Sequence, residues 1–166
     1  MRLLRHITAH NDVQMKIRIG ELIHLLPKNT RVTQRMLRTW SENDVLRPEG
    51  GTEEKSRFWF DEKESAYALI AAQLHGFGVK GLGHQQAMLF MRTQFEQSGC
   101  NPIETATRMI KGQTATGPVF VTLIHVANTD DGSPLYSVNS ESLSAPAACV
   151  LTLRLDLILQ PLLQRF

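Results

Sequence analysis

Cysteine is scarce in this chain, and long apolar runs are missing. The 166 residues include two cysteines, Cys100 and Cys149. Two exclude a multi-bridge scaffold, and their separation excludes a local metal knuckle, so reduced thiols are expected. No apolar stretch approaches the roughly 18–20 residues of a bilayer span. The opening residues, with Arg2, Arg5, His6 and His10, lack the apolar stretch of a signal peptide. The expectation is a cytoplasmic protein with no membrane partner. Catalytic signatures are absent too: there is no serine-histidine-aspartate arrangement, HExxH or P-loop, so no enzyme is expected. Gly76-x-Gly78-x-x-Gly81 matches the dinucleotide fingerprint only as text. A helix is expected before it where a strand is required, and the acidic partner some twenty residues on is missing. His6 and His10 have a metal-compatible spacing but no acidic or thiol ligand beside them, and read as a surface pair. No metal and no cofactor is expected.

What is present is enough apolar material, 42% of the residues, to bury a core. The charge is unevenly placed. Residues 1–58 hold eleven Lys and Arg against seven Asp and Glu, an excess of four, whereas the whole chain is only +2. Cations gathered in one region displace the counterions of a phosphate backbone, the sequence-independent part of nucleic-acid affinity.

Periodicity then organises the chain. Residues 1–15 read as an arm. Ile19, Leu22, Ile23 and Leu26 make one stripe of a short helix over 17–26, which Pro27 ends. Thr33 can cap a second helix to about Asn43, with Met36, Leu37 and Trp40 inward and Gln34, Arg35 and Arg38 outward. Asn43-Asp44 suits the left-handed turn at a helix end. The segment 46–60, with turn residues at its tip and Phe58-Trp59-Phe60 after them, predicts a two-stranded wing folded back on itself. Asp61 with Glu64 resembles a capping box opening a third helix, striped by Ala66, Leu69, Ile70 and Leu74 and stopped by Gly76 and Gly78. A fourth helix spans about 84–97, with Ala87, Phe90, Met91 and Phe95 inward, and Asn101-Pro102 opens a fifth that ends near Lys111. Two strands follow in the tail, 119–127 and the alternating leucines 151–159, with 128–148 as loop. The predicted class is α+β: a mainly helical winged helix-turn-helix over 16–98, and a small mixed α/β region over 99–166 containing two strands. His125 within its strand reads as a core residue; only a polar pocket around His125 and Asp156 would offer a place for chemistry.

The order of these elements resembles the MerR family of winged-helix transcriptional regulators. The matching residues are Ile19-Gly20-Glu21-Leu22, Val32-Thr33-x-Arg35-x-Leu37-Arg38-x-Trp40, Val45-Leu46-x-Pro48, Phe60-Asp61 and His75-Gly76-Phe77-Gly78. The resemblance covers about residues 16–92. It implies double-stranded DNA as partner, the second helix in the major groove, the wing on the sugar-phosphate backbone, commonly a homodimer, and a contact with RNA polymerase. Carried over by position, Thr33, Gln34, Arg35, Arg38, Thr39 and Trp40 are the DNA-facing candidates of the helix, Lys55 and Arg57 those of the wing, and Lys80 a further one. Arginine suits the role because its fork matches guanine or phosphate bidentately. This chain departs from the family at Asp44, where a glycine is usual, and at Ser98-Gly99 and Asn101-Pro102, which interrupt the long dimerisation helix. The tail is expected to supply dimerisation, sensing or a partner surface: its leucine-faced strand must be covered either by helices of the same chain or by a second copy, and self-association is favoured because a 68-residue tail holds few other elements to cover it. The competing reading is a phage- or plasmid-type adaptor that keeps the fold and meets protein instead of DNA.

Overall fold

A computed structural model describes residues 16–50, 58–97, 99, 101–113, 117–128, 134–139 and 149–164. The arm 1–15, the tip of the predicted wing with Lys55 and Arg57, and Cys100 lie outside the described residues, as do the side chains of His125 and Cys149. The chain is α+β. Strand β1 (Ile17–Arg18) leads into helix α1 (Ile19–Leu25), a 3-10 turn (Lys28–Thr30) and helix α2 (Gln34–Glu42). Strand β2 (Trp59–Phe60), helix α3 (Glu62–Gly76), helix α4 (Gly81–Gln97) and helix α5 (Pro102–Ile110) follow. The tail holds strands β3 (Phe120–Asn128), β4 (Pro134–Asn139) and β5 (Cys149–Arg154), helix α6 (Leu155–Ile158) and a closing 3-10 turn (Gln160–Gln164).

The first helix is shorter than its stripe predicts. Ile17 is buried and Arg18 lays its guanidinium 4.8 Å from the centre of the Trp59 ring, so these two residues are taken by an antiparallel pairing with Phe60 and Trp59. On its other side Trp59 exchanges backbone hydrogen bonds with Glu49, at 2.9 and 3.0 Å. The segment 46–60 therefore closes on itself at Glu49 and Trp59, and also borrows the start of the chain as a neighbour.

Helix α3 differs from expectation in its surroundings. From Glu64 to Ala72 every residue is buried, so no stripe separates an inner from an outer face. The helix packs against the 3-10 turn at 28–30, β2 and α4, and against α6 and the closing 3-10 turn of the tail. Asp61 caps it as predicted, its Oδ1 accepting from the Glu64 backbone N–H at 2.6 Å. The Glu64 side chain does not return to complete the box; it turns into the core. Gly76 is the last residue of the helix, where the turn at 28–30 comes close: an added Cβ would stand 3.1 Å from the Thr30 Cγ2. Gly78, at φ +90, supplies the left-handed residue that ends the turn.

The tail corrects the two-strand reading. Its antiparallel sheet has three strands in the order β4-β3-β5, and β4 lies within the span predicted as loop. Strand β5 stops at Arg154, where the Leu155 N–H turns to the Val119 carbonyl at 2.9 Å and a helical turn begins. Leu155 and Leu159 satisfy a period of two and a spacing of four alike. Leu157 decides between them: it is 54% exposed, as a helix requires and a one-sided strand forbids. Val121, Leu123, Leu153 and Leu155 are buried within one chain and join the core formed by Leu22, Leu37, Trp40, Phe60 and α3. Leu153, Leu155 and Leu159 are thus covered within the one chain, whereas Leu157 and Phe120 are left exposed. Among the described residues no helix is long and apolar enough to cross a membrane.

Candidate nucleic-acid interface

The second helix is built to present one face. Thr33 stands at its N-cap in extended conformation, and its hydroxyl accepts from the Met36 N–H at 3.3 Å, relieving one of the helix's unpaired donors. At 100° per residue, Gln34, Arg35, Arg38 and Thr39 fall on one side and Leu37 and Trp40 on the other. The first four are exposed and the last two buried. Arg35 and Arg38 enter no ion pair among the described residues, whose pairs are Lys16–Glu49, Lys63–Glu96, Arg92–Glu64, Lys111–Glu62 and Arg154–Asp156. Glu42 occupies the same outer face in the last turn, so the cationic part is the first two turns.

Trp40 is corrected as a surface candidate. Only 8% of it is exposed, and its ring lies 4.8 Å from His84 and 5.8 Å from His75, which makes it part of the wall behind the helix. Its carbonyl accepts from both Val45 and Leu46 N–H, at 2.9 and 3.1 Å, so the chain turns sharply off the helix end. Asp44 takes the left-handed conformation, φ +57, that Asn43-Asp44 was expected to tolerate at the helix end. Lys80 is exposed and borders the same cleft as Thr39, which brings these two candidates together at the end of α2.

Behind this exit lies an arrangement that sequence reasoning missed. Arg92 on α4 donates to both Glu64 oxygens on α3, at 2.8 and 3.0 Å, and to the Val45 carbonyl at 3.3 Å. Glu64 also accepts from the Arg47 backbone N–H at 2.5 Å, and the Arg92 guanidinium lies 3.9 Å from the centre of the Tyr67 ring. The segment connecting α2 to Glu49 is therefore held by a buried charge pair. The signal was an arginine at position 92 on the apolar side of α4, one helical turn beyond Met88. A cation placed there requires a buried anion.

The electrostatics follow from burial. Desolvation pushes the Tyr67 hydroxyl up to about 12 despite the opposing Arg92. His84 is pushed below 6.5 by burial, against the opposite pull of its 2.8 Å hydrogen bond with the Ala71 carbonyl. His75 is lowered by burial and by the Lys80 ammonium. Among the described residues no cluster of His, Cys, Asp and Glu is arranged to hold a metal ion. Asp156 is buried against Arg154 Nε at 3.1 Å, an ion pair at the start of α6. Compared with known proteins, the chain matches no protein-family model, and neither a curated protein nor a solved structure matches it.

Proposed function

We propose that this chain is a sequence-specific DNA-binding regulator of transcription of MerR-like, winged-helix type, with α2 in the major groove and the segment 46–60 on the sugar-phosphate backbone. The observation that carries the reading is the outward pair Arg35 and Arg38, without an ion-pair partner among the described residues, on a helix whose opposite face is anchored by Leu37 and Trp40. Anchoring matters because a helix that reads base edges must hold its register, and a cap at Thr33 leaves its first turn free to approach the groove. Gln34 and Thr39 flank the arginines on the same face, and the Arg92–Glu64 pair fixes the exit from α2 toward Glu49. The Gly81–Gln97 helix ends before Asn101-Pro102, so the long dimerisation helix of the family has no counterpart along α4.

Selection of bound sequences from random duplex DNA, followed by titration at several salt concentrations and mass measurement of the complex, tests the proposal. The expected result is an enriched motif whose affinity falls steeply as salt rises. Failure to enrich any motif, with affinity indifferent to salt, would overturn it in favour of the protein-binding adaptor.

A further inference from the structure

A cleft of about 440 Å3 opens between the end of α2 and the start of α4, bordered by Thr39, Trp40, His75, Lys80, Leu82 and His84. That volume suits a small organic molecule, since such sites run to roughly 300–1,000 Å3. Its wall is aromatic. Trp40 and His84 lie 4.8 Å apart and tilted, His75 meets Trp40 edge-on at 5.8 Å, and the two imidazoles are 6.3 Å apart. Leu82 stands at the rim, 61% exposed, an apolar side chain that the fold leaves uncovered.

The charge of the cleft is one-sided. Among the described residues that border it Lys80 is the single formally charged side chain and no carboxylate is present, while the Gln85 amide is held by its Nε2 bond to the Asn43 backbone carbonyl at 2.9 Å. Lys80 forms no ion pair among the described residues. His84 is committed to the Ala71 carbonyl, and burial keeps both imidazoles from taking a proton readily. Neutral rings facing an unneutralised ammonium favour a flat apolar body that carries one negative charge.

We propose that this cleft binds a small aromatic monoanion, its carboxylate on Lys80 Nζ and its ring against Trp40 and Leu82. The inference concerns the protein without DNA and stands or falls apart from the regulatory reading. Because Thr39, Trp40 and Asn43 belong to α2 or its cap, an occupant would touch the helix that carries Arg35 and Arg38.

Benzoate serves as the probe, followed through the two tryptophan indole N–H signals of the full-length 15N-labelled chain, with Trp59→Phe used only to tell them apart. The expected result is a saturable shift of the Trp40 signal with Trp59 unmoved, and an affinity at least about threefold weaker in Lys80→Gln. Lys80 is exposed, so its replacement leaves the core intact. Benzyl alcohol, which keeps the ring without the charge, and acetate, which keeps the charge without the ring, are expected to bind at least about tenfold more weakly. A non-saturating response to benzoate, an unchanged affinity in Lys80→Gln, or an equal response to acetate, benzyl alcohol or inorganic phosphate would each overturn the assignment.

Discussion

Arg92 grips Glu64 with two parallel hydrogen bonds in a setting where only 4% and 6% of the two residues reach solvent. A pair of this kind is costly to break from one side, because the remaining charge stays buried. Arg92→Met is expected to lower unfolding free energy by about 3–5 kcal/mol. The double variant Glu64→Leu with Arg92→Met is expected to recover most of that loss, though not all, since the Arg47 N–H loses its acceptor. Urea unfolding of the single and double variants measures the difference.

Arg35→Ala and Arg38→Ala are each expected to weaken binding to the selected duplex by about 1–3 kcal/mol while leaving stability within about 0.5 kcal/mol, because both side chains are exposed and form no ion pair among the described residues. Lys55→Ala is expected to weaken all sequences alike and to reduce the salt slope by about one. Anisotropy titrations on cognate and scrambled duplexes distinguish the two behaviours.

His84 makes stability sensitive to mild acid. Its folded value lies below the ordinary 6.5, so as pH falls below about 6.5 the unfolded chain gains a proton there that the folded chain refuses. Stability is full above that pH and is lost as pH drops toward the folded value. Glutamine in place of His84 removes the titrating ring while its Nε2 keeps a donor for the Ala71 carbonyl. Denaturation midpoints measured from pH 7.5 down to pH 5.5 are expected to fall less in His84→Gln than in the parent chain.

Gly76→Ala tests the contact of α3 with the turn at 28–30. Alanine is the better helix former by about 1 kcal/mol, yet its Cβ would press on the Thr30 methyl, and a net loss of about 1–2 kcal/mol is expected. Thr30→Ser removes that methyl and keeps the hydroxyl that bonds to the Pro27 carbonyl at 2.6 Å. In a double-mutant cycle the serine is expected to relieve most of the alanine's cost.

Local chemistry was legible in the sequence and tertiary chemistry was not. Thr33, Asp61 and Asn101 cap the helices they were expected to open, because a cap is decided within three residues of chain. The outer face of α2 was legible for the same reason. The pairing of Ile17–Arg18 with Trp59–Phe60 joins residues some forty positions apart, and no periodicity records it. Leu155 and Leu159 fit helix and strand equally well, so only the environment of Leu157 could choose. Glu64 read as half of a capping box because Arg92, its true partner, lies 28 residues on. In the candidate site, the resemblance put Trp40 among the DNA-facing residues although the helix stripe had already turned it inward, and its burial sides with the stripe.

Enclosure of α3 from all directions ties the fate of the two ends of the molecule together. If the tail peeled away, α3 would lose the cover of α6 and the closing 3-10 turn; if the first helices detached, it would lose the turn at 28–30 and β2. Either event wets a helix with no solvent-adapted side between Glu64 and Ala72, so neither half can melt ahead of the other. Calorimetry should record one endotherm, the α3 amides should exchange deuterium last of all, and a protease nick near residue 99 should liberate no fragment that stays folded alone.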